Sequence, residues 1–212
     1  MEAIDALNFH MKPGAGYPMS MEATMRTYLA NIRAILKPAD LARLDAGTLP
    51  LFDGETSYSP TGFVDSGTCP GGPGCYTDPD MAASFVARLS LYNWSVGVTA
   101  TNWYTWDQMK SQTKAVGALK TMVDWMVGAT MTKPCAPVGA DPGVYTCELT
   151  RGGSVEEVIW DNSLVCSNGS CSTTMQTVPN GYSTYADIEG GAPVSIANHK
   201  VAVGIKPLLL KP

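Results

Sequence analysis

Short apolar runs alternate with longer amphipathic segments over the first 127 residues. The short runs cover residues 3–10, 49–55 and 96–104, and each turns polar or aromatic at its end, which predicts three strands. Hydrophobic residues recur at helical spacing between and after them, which predicts helices over about 21–36, 81–91 and 111–126, the second one capped by Asp80. Strands that alternate with helices are typical of a parallel sheet, so this part is predicted to be α/β.

The pattern changes after Gly128. Stretches such as 143–149 and 155–160 alternate apolar and polar residues, and Gly-Gly or Asn-Gly dipeptides separate them. This texture is typical of short antiparallel strands joined by tight turns. The sequence therefore predicts two domains, an α/β domain over residues 1–127 and a small antiparallel all-β domain over residues 128–212.

The charge balance excludes some classes of partner. The chain carries 14 Lys and Arg against 19 Asp and Glu, a formal net charge of −5, and no basic run. Nucleic acid and anionic membrane surfaces are therefore not expected partners. No apolar stretch reaches the roughly 18–20 residues that cross a bilayer, so no membrane partner is expected.

The six cysteines form three close sequential pairs: Cys69 with Cys75, Cys135 with Cys147, and Cys166 with Cys171. Fifteen connectivities are possible, and the nearest-neighbour one is the most economical. Zinc is the competing interpretation, but the chain has no CxxC motif and both histidines lie outside the cysteine clusters. We therefore expect disulfides, no metal and no cofactor, and an extracellular or periplasmic location for the full-length protein.

Candidate chemistry lies where the predicted strands end. His10 ends the first strand, Glu55 the second, and Trp103 with Trp106 follows the third. The carboxyl ends of parallel strands meet at one edge of a sheet, so these side chains are expected to converge there. A carboxylate, an imidazole and aromatic rings suit a sugar, because its apolar faces stack on indole while its hydroxyls need polar partners.

These stretches resemble the retaining (β/α)8-barrel glycoside hydrolases of the large clan whose nucleophile is a glutamate at the end of strand seven. DALNFH at 5–10 is similar to the family's strand six, LPLFDGETS at 49–57 to strand seven, and NWYTWD at 102–107 to strand eight. The resemblance implies that the chain is the C-terminal half of such an enzyme. It would contain the last three strand-helix units of the barrel, followed by a small antiparallel β-sandwich.

The same resemblance implies roles for individual residues. Glu55 would be the nucleophile that attacks an oligosaccharide or polysaccharide substrate, and four residues would contact that substrate: His10, Trp103, Trp106 and Asp107. Two departures from the family pattern stand out. Lys12 occupies the place where the family often has a tyrosine, and the chain has neither the Asn-Glu dipeptide that carries the acid/base glutamate nor a counterpart of strands one to five.

Retaining hydrolysis needs two carboxyl groups about 5–5.5 Å apart. Because the second carboxyl group is missing, the isolated chain is predicted to be inactive or nearly so. Each candidate also has a structural alternative: Glu55 as a surface glutamate, His10 as a loop histidine, and the tryptophans as core residues. The alternative function is a non-catalytic carbohydrate-binding chain, or a half-barrel that self-associates through its open sheet edge.

Overall fold

The computed structural model of the protein describes residues 4–10, 21–56, 78–103, 110 and 112–212. Within these ranges, the first part of the chain contains a parallel three-stranded sheet and four helices. In chain order these elements are β1 (Leu7–Phe9), α1 (Met21–Ile35), α2 (Pro38–Asp45), β2 (Leu51–Thr56), α3 (Pro79–Ser95), β3 (Val98–Trp103) and α4 (Thr113–Met126). The strands pair in the order β1-β2-β3, and both pairings are parallel, as the alternation of strands and helices predicts.

The second part of the chain forms antiparallel strands. They are β4 (Thr130–Pro137), β5 (Val144–Arg151), β6 (Ser154–Asp161), β7 (Cys166–Ser167), β8 (Ser170–Cys171), β9 (Thr173–Thr177), β10 (Thr184–Asp187), β11 (Val194–Ser195), β12 (Lys200–Gly204) and β13 (Leu208–Lys211). Six of them form one sheet in the order β11-β10-β13-β6-β5-β4, while β9 pairs with β12 and β7 with β8. The chain is therefore a mixed α/β structure followed by a β-rich region.

The start of α3 corrects one prediction from the sequence. Asp80 was the predicted N-cap, but the cap is Asp78, whose Oδ1 accepts hydrogen bonds from the amides of Asp80 (2.8 Å) and Met81 (3.3 Å). Pro79 is the first helical residue, where a missing N–H costs nothing and the ring presets the helical φ angle. The Asp-Pro pair moves the helix start two residues towards the N-terminus.

Helix α3 lies at the centre of the molecule. Every residue from Met81 to Leu89 is buried, which is typical of a helix enclosed on all sides rather than one with a single apolar face. It contacts β3 of the parallel sheet and β4 of the six-stranded sheet. One cluster of buried hydrophobic residues accordingly runs from Phe9 to Leu209, across the predicted domain boundary at residue 127.

The six-stranded sheet is covered on both faces. In β6, Val158 and Trp160 belong to the central cluster, whereas Ile159 belongs to a second cluster with Leu208 and Leu210 of β13 and Val201 and Val203 of β12. Because successive side chains of a strand point to opposite faces, burial of consecutive residues shows cover on both sides. Residues 155–160, which were predicted to alternate, end in the continuous apolar run Val158-Ile159-Trp160, and such a run agrees with cover on both faces.

A buried carboxylate joins the helices to the antiparallel sheet. Glu22 of α1 and Arg88 of α3 are both fully buried, with 2.8 Å between Arg88 Nε and Glu22 Oε1 and 2.6 Å between Nη2 and Oε2. Trp160 Nε1 donates to Glu22 Oε1 at 3.0 Å, and Asn162 Nδ2 donates to Oε2 at 3.1 Å. Four donor atoms from three residues therefore converge on one carboxylate, which is the arrangement a buried charge needs.

Candidate active site

The carboxyl edge of the parallel sheet brings two of the predicted site residues together. His10 directly follows β1, and Glu55 is the fifth residue of β2. Their side chains are in contact, with 3.0 Å between His10 Nδ1 and Glu55 Oε2, and they are 48% and 22% exposed. The contact is a hydrogen bond when His10 carries a proton on Nδ1 alone and an ion pair when the ring is doubly protonated.

A bulge in β2 orients Glu55. Asp53 pairs with Thr101 and Thr56 with Trp103, so two residues of β2, Gly54 and Glu55, lie opposite one residue of β3. In a regular strand Asp53 and Glu55 would point to the same face. The extra residue lets Asp53 point towards α3 while Glu55 reaches His10.

The other face of the parallel sheet is attached to α3 through Asp53. Asp53 is fully buried and accepts a hydrogen bond from Asn93 Nδ2 of α3 at 3.1 Å. The same amide nitrogen donates to Thr101 Oγ1 of β3 at 2.8 Å. One carboxylate of β2 therefore attaches the sheet to its helix, and the other, Glu55, remains partly exposed at the edge.

Asn8 is a neighbour of the site that the sequence reasoning did not single out. A side chain at position 54 would collide with it, because an added Cβ would lie 2.7 Å from both Cγ and Nδ2 of Asn8. A side chain at position 54, one residue before Glu55, would therefore have to displace the exposed Asn8 carboxamide. The sequence signal for this contact is the glycine inside the strand, which often marks a bulge or a close neighbour.

The remaining predicted site residues are placed differently. Trp103, the last residue of β3, packs edge-on against buried Phe85 of α3, with ring centroids 6.0 Å apart and an interplanar angle of 88°. Trp106 and Asp107 lie outside the described residues. Within the described part of the chain, no group of three or more His, Cys, Asp or Glu side chains is placed to hold a metal ion.

A charged cluster surrounds the start of α3, which follows β2 in the chain. Asp80 is almost fully buried and lies 2.8 Å from Lys114 Nζ and 3.1 Å from Lys206 Nζ. Burial alone would raise the pKa of Asp80, but the two ammonium groups outweigh it and lower the pKa to about 2. Both lysines also contact Glu189, so this cluster ties α3 and α4 to the antiparallel region.

Two disulfides lie in the antiparallel region. Cys135 of β4 is joined to Cys147 of β5, and Cys166 of β7 to Cys171 of β8, which are nearest-neighbour pairings. The third predicted pair, Cys69 with Cys75, lies outside the described residues. Disulfides are compatible with an extracellular location. None of the helices in the described ranges has both the length and the apolar character needed to cross a membrane.

Comparisons with known proteins give a structural similarity but no sequence match. No protein-family profile matches the chain. No curated protein sequence matches it. Among solved structures, the chain is similar to a GH30 endoxylanase from Clostridium papyrosolvens, with a TM-score of 0.48 and 13% sequence identity. The alignment covers 97% of this chain and 48% of the endoxylanase, so the chain spans about half the length of that protein.

Proposed function

We propose that this is a glycoside hydrolase-like chain in which Glu55 occupies the position of a retaining nucleophile. The observation that supports the proposal is the partly exposed Glu55 carboxylate at the carboxyl edge of a parallel sheet, held by His10 at 3.0 Å. Ligands and reactive groups of parallel α/β folds lie at this edge. The proposed substrate is an oligosaccharide or polysaccharide.

The geometry suggests a division of roles between the two side chains. In the proposed reaction, a Glu55 oxygen attacks the anomeric carbon and the bond to the leaving oxygen breaks, which leaves a covalent glycosyl-enzyme that water later hydrolyses. His10 Nδ1 donates a hydrogen bond to the Glu55 carboxylate and so orients it. The exposed part of the His10 ring remains available to a sugar hydroxyl. Trp103, Trp106 and Asp107 remain predicted substrate contacts.

The proposal includes the finer architecture predicted from the sequence. The three strand-helix units would be the last three of a (β/α)8 barrel, with 1–127 as the barrel part and 128–212 as a β-sandwich domain. The face of the parallel sheet opposite α3 supports this, since Asn8, Ala100 and Asn102 are exposed there. In a closed barrel such residues point into the interior.

Covalent labelling tests the role of Glu55 directly. Dinitrophenyl 2-deoxy-2-fluoroglycosides of several sugars carry a leaving group that departs without protonation, so a nucleophile can react even where the general acid is missing. We expect one adduct per chain, located by peptide mapping on the segment that contains Glu55. The adduct should be absent in Glu55→Gln and retained in Glu148→Gln, which removes a carboxylate on β5 instead.

Two results would contradict the assignment. An adduct that persists in Glu55→Gln would place the reactive carboxylate elsewhere. Binding of an oligosaccharide without any labelling would favour the alternative, a non-catalytic carbohydrate-binding chain.

Self-association is the second candidate, and the sheet edges favour it. Strands β1 and β3 are the two edges of the three-stranded sheet, and unpaired edges are templates for pairing with another chain. Sedimentation velocity over a range of concentrations tests this candidate. A monomer at all concentrations would contradict it, and a reversible dimer would support it.

A further inference from the structure

The chain contains two Asn-Gly dipeptides, Asn168-Gly169 and Asn180-Gly181. All four residues are exposed and lie in tight connections between strands. Both glycines have a positive φ, 75° for Gly169 and 110° for Gly181. Asn-Gly is chemically labile because the glycine amide, unshielded by a side chain, can attack the side-chain carbonyl of the preceding asparagine. The two sites differ in what holds that amide.

The first site is restrained. Asn168 and Gly169 form the tip of the hairpin between β7 and β8, which the Cys166–Cys171 disulfide closes. The Gly169 amide donates a hydrogen bond to Asp78 Oδ2 at 3.0 Å, so the nitrogen that would attack is bound to a carboxylate of the α3 cap. Attack requires this bond to break and the hairpin tip to distort.

The second site lacks these restraints. Asn180 and Gly181 connect β9 to β10, and the backbone is anchored on either side by the bonds from Val178 N to His199 O and from Ser183 N to Lys211 O, at 2.9 and 2.8 Å. Between these anchors, and among the described residues, the Gly181 amide has no hydrogen-bond acceptor. Its nitrogen is therefore available to react.

We propose that Asn180 is a site of spontaneous deamidation in the folded protein and that Asn168 is protected. The Gly181 nitrogen loses its proton and bonds to the Asn180 side-chain carbonyl carbon, the bond from that carbon to the amide nitrogen breaks, and ammonia leaves. Water then opens the cyclic imide at either carbonyl and yields aspartate or isoaspartate. The net reaction consumes one water, releases one ammonia and adds one negative charge to the turn.

Peptide mapping by mass spectrometry tests the proposal on the folded protein incubated at mildly alkaline pH. We expect Asn180 to deamidate at least about tenfold faster than Asn168, since a tenfold difference in rate corresponds to about 1.4 kcal/mol. This free-energy difference is no larger than the contribution of one hydrogen bond to a charged acceptor, such as the bond from the Gly169 amide to Asp78. In denaturant the difference should shrink to about threefold or less, because neither amide is then restrained.

The variant Asp78→Asn isolates the protecting bond. Asparagine is as good an N-cap as aspartate, so Oδ1 can continue to cap α3, while its amide nitrogen cannot accept from Gly169. We expect faster deamidation at Asn168 and an unchanged rate at Asn180. Equal rates at the two sites in the folded wild type would overturn the proposal, as would faster reaction at Asn168. An Asn168 rate that Asp78→Asn leaves unchanged would overturn the role of Asp78.

Discussion

Removal of the buried carboxylate of Glu22 is the sharpest test of how the two parts of the chain are joined. In Glu22→Gln the side chain keeps its shape, but one of its two oxygens becomes an amide nitrogen that cannot accept a hydrogen bond. At least two of the four donors that converge on Glu22 lose their acceptor, and the buried Arg88 guanidinium loses the negative charge of Glu22. Breaking one partner of a buried ion pair costs about 3–5 kcal/mol.

The magnitude translates into a large shift in melting temperature. A domain of 150–250 residues shifts by about 2–4 °C per kcal/mol, so the midpoint of Glu22→Gln should fall by roughly 6–20 °C. Differential scanning calorimetry and urea denaturation measure it. The double variant Glu22→Gln with Arg88→Met should recover part of the loss, because it removes the uncompensated charge.

Asp45→Asn is the matched control. It removes the same charge from an ion pair with Arg33, at 2.7 Å between Nη2 and Oδ1, but the two side chains are about half exposed, 46% and 52%. Exposed pairs contribute about 0–1 kcal/mol, so this variant should unfold close to the wild type. If Glu22→Gln also unfolds within about 1 kcal/mol of the wild type, the carboxylate does not join the helices to the sheet as argued.

Three further outcomes follow from the described contacts. Gly54→Ala should displace the exposed Asn8 carboxamide and destabilise the protein by about 1 kcal/mol, the low end of the cost of overpacking. Adding Asn8→Ala should restore most of that loss in urea denaturation, and a loss that persists in the double variant would contradict the role of Asn8. Because the pKa of Asp80 is lowered to about 2, its pairing with Lys114 and Lys206 stabilises the fold above about pH 4 and is lost as the pH falls towards 2. The wild type should lose about 2 kcal/mol more than Asp80→Asn over that range, and equal acid sensitivity would count against the pairing. Alkylation of the non-reduced, unfolded protein should modify none of the six cysteines by intact mass, and six modified thiols would remove the support for an exported protein.

The sequence predicted the elements that depend on neighbours along the chain. Helical spacing located α1, α3 and α4, and alternation with turn dipeptides located β5 and β6. The period of a pattern reports which face of an element is apolar, and a short loop limits which strands can pair, so these features are readable from local sequence. The ends of the elements were predicted less accurately. The first strand has three residues, where the sequence predicted a strand over residues 3–10, and Asp78 rather than Asp80 caps α3.

The candidate site was predicted only in part. The order of strands in a parallel sheet implied that His10 and Glu55 would approach each other, and they do. The bulge at Gly54, which separates Asp53 from Glu55, needed the pairing register, and the contact with Asn8 needed the distance between two strands. Neither quantity is encoded in a single stretch of sequence.

Tertiary structure alone decided which polar residues are buried and which of two identical dipeptides is protected. Glu22 follows Met21 at the start of an ordinary amphipathic helix, and only the approach of Arg88, Trp160 and Asn162 shows that its charge is enclosed. The chain by itself determined the kinds of elements, their order and the residues available for chemistry, because these depend on local periodicity and spacing. Burial, register and hydrogen-bond partners depend on segments far apart in the sequence, and they become defined only when those segments pack.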